Sequence, residues 1–78
     1  MRATGDDTEV KLAVLHKLRQ WGSLPESDVA RMLRQYFLVT DDFRAMVEEG
    51  LIDMEFAGDE YILKLAIVGR LFLEESES

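Results

Sequence analysis

The chain has 78 residues, of which 47% are hydrophobic and 32% are charged, a composition typical of one small globular domain. It contains no cysteine, which excludes disulfides and thiolate metal sites. Its net charge of −7 at pH 7 disfavours nucleic acid and anionic membranes as partners, because both are polyanions.

A cytoplasmic location is the default expectation, since the absence of cysteine leaves the redox compartment open. Residues 1–7 are small or polar, so we expect a flexible N-terminus without the apolar segment of a signal peptide. No apolar run approaches the roughly 20 residues that a membrane helix needs, so no membrane contact is expected. Residues 76–78 are expected to form a disordered acidic tail.

The first predicted helix covers residues 8–20. Val10, Val14, Leu18 and Trp21 fall on one stripe at the helical period, which predicts that one face of this helix is buried. Basic residues near its end suit the negative end of the helix dipole.

A connector at residues 23–26 leads into a second helix, predicted over 25–37. Pro25 suits the first turn of a helix, because the N–H that proline lacks would have no partner there. Glu26 and Asp28 suit the positive end of the helix dipole. The apolar residues that follow recur at helical spacing, so this helix is also expected to bury one face.

Residues 40–63 are expected to form a short third helix followed by a two-stranded hairpin. Thr40 is a good N-cap, and Gly50 is expected to end the helix. Apolar and acidic residues then alternate as they do in a half-buried strand. A turn with glycine at 57–60 leads to a returning strand.

The last predicted helix covers residues 66–75 and is apolar on more than one face. A terminal helix on so small a domain cannot bury all of these side chains, so we expect a homodimer in which a second copy covers the excess. The alternative is that scattered apolar residues are ordinary on protein surfaces. The candidate dimer contacts are Ile67, Val68, Leu71 and Phe72.

The order helix, helix, helix, hairpin, helix resembles the winged helix-turn-helix superfamily over residues 8–75. Residues 46–52 look like the end of a recognition helix that passes into the first wing strand. Residues 65–70, Leu-Ala-Ile-Val-Gly-Arg, are similar to the Leu-Thr-x-x-Gly-Arg phrase that opens the last helix in MarR- and PadR-like regulators. Ala66 stands where that phrase has Thr, so the helix lacks this cap. Further residues that carry the resemblance are Leu12, Leu15, Leu18, Val29, Ala30 and Leu33.

The resemblance implies an α+β fold that is mostly helical: a winged helix with a three-helix cluster, a two-stranded wing hairpin and a C-terminal helix. It implies a single domain over residues 8–75. DNA-binding members of the superfamily place the third helix in the major groove and the wing on the backbone, and this docking needs lysine and arginine.

The charge of residues 40–63 favours a different function. This stretch has eight acids and one base, so its charge equals the −7 of the whole chain, and the wing at 51–63 has no lysine or arginine. We therefore predict a binding module that acts through protein–protein contacts, as an adaptor or regulatory subunit, on a partner with a basic surface. The predicted contact residues are Asp41, Asp42, Arg44, Glu48, Asp53, Glu55, Asp59 and Glu60.

Two alternatives remain open. A dimeric DNA-binding transcriptional regulator would have to use cations on the first two helices, although these cations are also explained as surface residues that pair with Glu9, Glu26 or Asp28. The candidate nucleic-acid contacts are Lys11, Lys17, Arg19, Arg31 and Arg34. A DNA mimic would also have an acidic surface, but no residue specifies its target.

No residue pattern indicates catalysis, a metal or a cofactor. Adjacent carboxylates diverge on a helix, and no spacing matches a calcium-binding loop. His16 is the only histidine, and Ser23 and Ser27 lie outside any nucleophile motif. We expect a protein that is not an enzyme and that holds no metal and no cofactor.

Overall fold

A computed structural model of the chain describes residues 7–77. Within this range the fold is α+β and mostly helical, with four α-helices and a three-stranded antiparallel sheet, so the predicted class is confirmed at this level. The elements in chain order are α1 (Asp7–Trp21), β1 (Ser23–Pro25), α2 (Glu26–Met32), a 3₁₀ helix (Arg34–Tyr36), α3 (Thr40–Glu48), β2 (Ile52–Ala57), β3 (Glu60–Leu65) and α4 (Ile67–Glu77). The predicted flexible N-terminus lies outside the described residues, except for Asp7, which begins α1.

An apolar core lies between the helices and the sheet. The predicted stripe of α1 is confirmed at Val10, Val14 and Leu18, which are all buried. Trp21, expected on the same stripe, is instead exposed, because α1 ends there and the chain turns into β1. Other fully buried side chains of this core are Leu15 of α1, Val29 of α2, Phe43 of α3, Ile52 of β2, Leu63 of β3 and Leu73 of α4.

The predicted connector between the first two helices is a strand. β1 pairs antiparallel with β3, so the hairpin belongs to a three-stranded sheet in the order β1-β3-β2, and the prediction of only two strands was wrong. Pro25 is the last residue of β1 and precedes α2, whereas the sequence predicted it within the helix. Proline is tolerated there because β1 is an edge strand.

The second helix is shorter than predicted. α2 ends at Met32, and the rest of the predicted segment forms the 3₁₀ helix and ends at Phe37. Phe37 has a left-handed backbone, with φ of 54°, and its side chain is 85% exposed. A left-handed conformation is unfavourable for a residue with a Cβ. The break in the helix lets the chain bury both Leu33 and Leu38, one on either side of it.

α3 begins one residue earlier than predicted. Thr40 is its first helical residue, not its N-cap. The N-terminal turn is closed instead by Asp42, whose carboxylate accepts a hydrogen bond from the backbone N–H of Val39 at 2.9 Å. Phe43 and Met46 are buried as the helical spacing predicts.

The hairpin agrees with the prediction. Gly50, with φ of 80°, follows α3 and turns the chain into β2, a conformation that glycine adopts without strain. β2 and β3, of six residues each, pair antiparallel along their whole length.

α4 is joined to the start of the hairpin at Leu51. The N–H of Ala66 donates to the carbonyl of Leu51 at 3.1 Å. Gly69 approaches the same carbonyl so closely that a Cβ at this position would lie 2.0 Å from the oxygen. A backbone atom cannot give way as a flexible side chain can, so this contact requires glycine.

α4 is also longer than predicted. It continues to Glu77, so residues 76 and 77 are helical and the prediction of a disordered tail was wrong for them. Ser78 lies outside the described residues. No helix in the described range has both the length and the apolar character to cross a membrane.

Candidate functional site

The predicted acidic contact residues fall into two groups. In the first group the carboxylate has a partner: Asp42 closes the first turn of α3, Glu55 lies 3.7 Å from Nζ of Lys64, and Glu60 accepts a hydrogen bond from Ser27. The second group is exposed and makes no ion pair with any other residue in the 7–77 range. Its members are Asp41, Glu48, Asp53 and Asp59.

A shallow groove lies between the turn of the hairpin and the first turns of α2 and α3. Its lining residues are Glu26, Ser27, Ala30, Thr40, Phe56, Asp59, Glu60 and Tyr61. Three of them are carboxylates, and none is a lysine or arginine. The groove therefore combines negative charge with two aromatic rings.

The register of the hairpin explains the two rings. Phe56 pairs with Tyr61, and two residues along β3 from Tyr61 lies the fully buried Leu63, so all three side chains share the face of the sheet that meets the core. The ring centroids of Phe56 and Tyr61 are 5.1 Å apart, in an edge-to-face arrangement. Because this end of the hairpin extends past the core, Phe56 remains 62% exposed.

Two side-chain hydrogen bonds fix the walls of the groove. The hydroxyl of Thr40 donates to the carboxylate of Glu26, which joins α3 to α2. The hydroxyl of Ser27 donates to the carboxylate of Glu60 at 2.8 Å, which joins α2 to the hairpin. An ionised carboxylate has about four lone-pair sites, so both carboxylates can accept further donors.

Arg44 is the single base in the acidic stretch, and it is held by an aromatic ring. Its guanidinium carbon lies 5.9 Å from the ring centroid of Tyr61, and Nη2 donates to the phenol oxygen at 3.4 Å. This geometry is within the range of a cation–π contact. Arg44 therefore covers part of Tyr61 and leaves Phe56 as the open ring of the groove.

Three of the five candidate nucleic-acid contacts are held by carboxylates. The pairs are Lys11 with Glu49 at 2.9 Å, Arg19 with Glu77 at 2.5 Å, and Arg31 with Asp28 at 2.8 Å. Only the last of these carboxylates was among the predicted partners. The other two predicted partners accept hydrogen bonds from neutral hydroxyls, Glu9 from Tyr36 and Glu26 from Thr40. Lys17 and Arg34 make no ion pair with another described residue.

The pair of Arg19 with Glu77 fastens the end of α4 to α1. Nη1 and Nη2 of Arg19 donate to the two carboxylate oxygens at 2.9 and 2.5 Å. The hydrogen bond from Arg19 lowers the pKa of Glu77 and raises the pKa of Arg19. Nδ1 of His16 lies 3.9 Å from the same carboxylate.

Three of the four candidate dimer contacts form an exposed apolar strip on α4. Ile67, Val68 and Leu71 are all exposed, and their spacing places them on one side of the helix. Phe72 is half-buried and packs against the core. The strip available to a partner therefore consists of three aliphatic side chains.

The sequence alone does not single out the groove. Alternation along the hairpin assigns Phe56 and Tyr61 to the core face, and Glu26, Ser27 and Thr40 belong to other elements. The one local signal is the position of an aromatic residue beside the acidic turn at the end of the hairpin.

No three histidine or carboxylate side chains are placed to hold a metal ion in the part of the chain that the structure describes. Comparison of the sequence with protein-family models and with curated proteins finds no match. Inferences about function therefore depend on the surface of the molecule.

Proposed function

We propose that this chain is a small binding module with a winged-helix-like arrangement, which acts as an adaptor or regulatory subunit by binding a basic surface on a protein partner. α3 and the hairpin would take the places of the recognition helix and the wing. The observation that carries the proposal is a set of exposed carboxylates that make no ion pair within residues 7–77, together with a groove that holds an exposed aromatic ring.

The charge of this surface favours a basic partner over DNA. Asp41, Glu48, Asp53 and Asp59 face solvent without an ion pair among the described residues. Each close approach of such a group to a phosphate costs on the order of 1 kcal/mol, reduced by salt. A basic protein surface turns the same charges into attraction, which speeds association and selects the partner.

The cations that DNA binding would need support the same choice. Arg19 and Arg31 are engaged by carboxylates, and Lys11 is held by Glu49 at the end of α3. A phosphate would have to compete with these carboxylates for the three side chains. Of the five candidate contacts, Lys17 and Arg34 are left without an ion pair among the described residues, and two cations release few counterions.

Fluorescence anisotropy with two labelled probes tests the proposal. The probes are a random DNA duplex and a peptide of alternating lysine and glycine, both at low salt. We expect the peptide to bind at micromolar protein and the duplex not to bind. Salt-sensitive binding of the duplex, with no binding of the peptide, would contradict the proposal.

Two charge reversals locate the binding surface. Asp59→Lys in the hairpin should weaken peptide binding strongly, because it removes one attraction and adds one repulsion. Glu74→Lys on α4 changes the net charge by the same amount and is the matched control. An equal loss in both variants would mean that net charge, not the surface of α3 and the hairpin, governs binding.

We also propose that α4 joins two copies of the chain through Ile67, Val68 and Leu71. The exposed strip of these side chains favours this arrangement, since burying it removes apolar surface from water. Sedimentation equilibrium should show a dimer that Leu71→Lys converts to a monomer. Met32→Lys, at an exposed apolar residue on α2, is the control and should leave the dimer intact. A monomeric wild-type chain at all concentrations would contradict this arrangement.

A further inference from the structure

We propose that the groove between the hairpin and α2 receives one lysine or arginine side chain from a basic segment of a protein partner. This inference rests on the proposed function and names the point on the acidic surface where the partner is anchored. The groove differs from the rest of that surface because it adds an open aromatic ring and fixed walls to the negative charge.

Phe56 gives the groove an aromatic ring face that attracts a cationic side chain. Its ring is 62% exposed, and the edge contact with Tyr61 sets its orientation. A cation within about 6 Å of an aromatic centroid is attracted to the ring face. The chain already uses this chemistry once, where Arg44 lies over Tyr61, so the ring of Phe56 is the one left for a partner.

The carboxylates supply the acceptors for the charged end. Glu26 and Glu60 are held in place by the hydroxyls of Thr40 and Ser27, so little side-chain freedom is lost when a cation binds them. Asp59, in the turn of the hairpin, makes no ion pair with another described residue. An ammonium has three donors and a guanidinium five, and both match a site that offers only acceptors.

The charge of the site excludes the other occupants of such a groove. An acidic peptide or a phosphate group would meet three carboxylates. A second copy of the chain is proposed to bind at α4, which contributes no residue to this groove. A divalent cation would need converging ligands, and no group of three is so placed within the described residues. A basic segment is therefore the occupant that the surface fits.

Two matched pairs of variants test the groove with the labelled lysine–glycine peptide. Phe56→Ala should weaken binding about fivefold, while Phe37→Ala, which removes an exposed phenylalanine outside the groove, should change it less than twofold. Asp59→Asn should weaken binding about threefold. Asp53→Asn makes the same change of charge on the acidic surface outside the groove, so it should lose only diffuse attraction and weaken binding less than twofold. Circular dichroism checks that all four variants are folded.

Backbone amide NMR spectra of the 78-residue chain give an independent readout. Addition of the unlabelled peptide should shift the amides of Ser27, Ala30 and Tyr61 more than those of α4. A glutamate–glycine peptide should shift none of them. Shifts spread evenly over α3, the hairpin and α4 would overturn the groove as the anchor.

The outcomes distinguish failure of the groove from failure of the proposed binding module. If Asp59→Asn and Asp53→Asn weaken binding equally, and Phe56→Ala has no more effect than Phe37→Ala, the peptide is held by diffuse attraction. The groove is then overturned, while the acidic binding module stands. If the wild-type chain does not bind the peptide at all, both are overturned.

Discussion

Two parts of the molecule use charge in opposite ways: α1 packed with α4, called here the apolar side, and α3 packed with the hairpin, called here the acidic side. On α1, Lys11 and Arg19 are each matched by a carboxylate from a distant part of the chain, Glu49 or Glu77. On α3 and the hairpin, several carboxylates have no ion-pair partner among the described residues, and the one base in the stretch lies over a tyrosine ring. The carboxylates of α3 and the hairpin that lack an ion pair are therefore the ones available to the proposed basic partner.

The two sides also differ in the apolar surface that they expose. α4 presents an aliphatic strip, of which Ile67 is the most exposed member at 78%. The hairpin presents one aromatic ring, Phe56, beside carboxylates. An aliphatic strip suits another apolar surface, whereas a ring beside acids suits a cation. This difference favours the two contacts proposed above, one of α4 with a second copy and one of the hairpin with a basic segment.

The largest predicted effect is a loss of stability when the packing of α3 on the core is weakened. Phe43 lies on α3 and is fully buried, so Phe43→Ala should lower the free energy of unfolding by about 3 to 5 kcal/mol. Urea denaturation measures the loss. Phe37→Ala, at an exposed phenylalanine, is the control and should change stability by less than about 0.5 kcal/mol. If the two substitutions cost the same, α3 does not pack on the core through Phe43.

A second prediction concerns Leu51, where the two sides meet. Gly69→Ala should destabilise the fold by about 3 kcal/mol, because the new Cβ would overlap the carbonyl oxygen of Leu51. Helix propensity alone predicts the opposite sign, a gain of about 1 kcal/mol. Thermal or urea unfolding decides between them, with Ser76→Ala as the control on an exposed position of α4. A Gly69→Ala variant as stable as wild type would mean that α4 does not approach Leu51 closely.

A third prediction concerns the start of α4, where a substitution should increase the stability of the fold. Ala66 precedes the helix and offers no side-chain oxygen to its free N–H groups. Ala66→Thr should therefore stabilise the fold by about 1 kcal/mol. Ala66→Val has nearly the same shape without the hydroxyl, so the difference in denaturation midpoint between the two variants isolates the cap. No difference between them would exclude a capping bond at this position.

The smallest predicted effect concerns the ion pair at the end of α4. The pKa of Glu77 is lowered in the folded state by the hydrogen bond from Arg19, so the pair stabilises the fold above the ordinary glutamate pKa of 4.5. That contribution is lost as the pH falls through the lowered pKa. We expect Glu77→Gln to be slightly less stable than wild type at neutral pH and equally stable in acid.

Thermal unfolding across this pH range, at low salt, measures the difference. Glu48→Gln is the control, because Glu48 is exposed and makes no ion pair among the described residues. This variant should be as stable as wild type at neutral pH and in acid. A deficit of Glu77→Gln that persisted in acid would point to a cause other than the ion pair, such as a change in the helix end.

Local patterns were enough to predict much of this structure. Helical spacing placed Val10, Val14 and Leu18 in the core, and alternation with glycine turns located the hairpin. The position of the net charge is a property of composition and needs no fold. Local patterns missed the 3₁₀ helix and left-handed Phe37, because the apolar spacing across 25–37 continues smoothly through the break.

Only tertiary contacts decided the rest. β1 is a strand because Leu24 pairs with Leu63 of β3. The three residues of β1 do not by themselves predict this pairing. Gly69 is required by a carbonyl 18 positions earlier in the chain, at Leu51. The groove exists because the hairpin register and two hydrogen bonds bring residues of four elements together. The sequence alone establishes which residues are charged, whereas the packing of the elements decides which of these charges lie beside Phe56 in the groove.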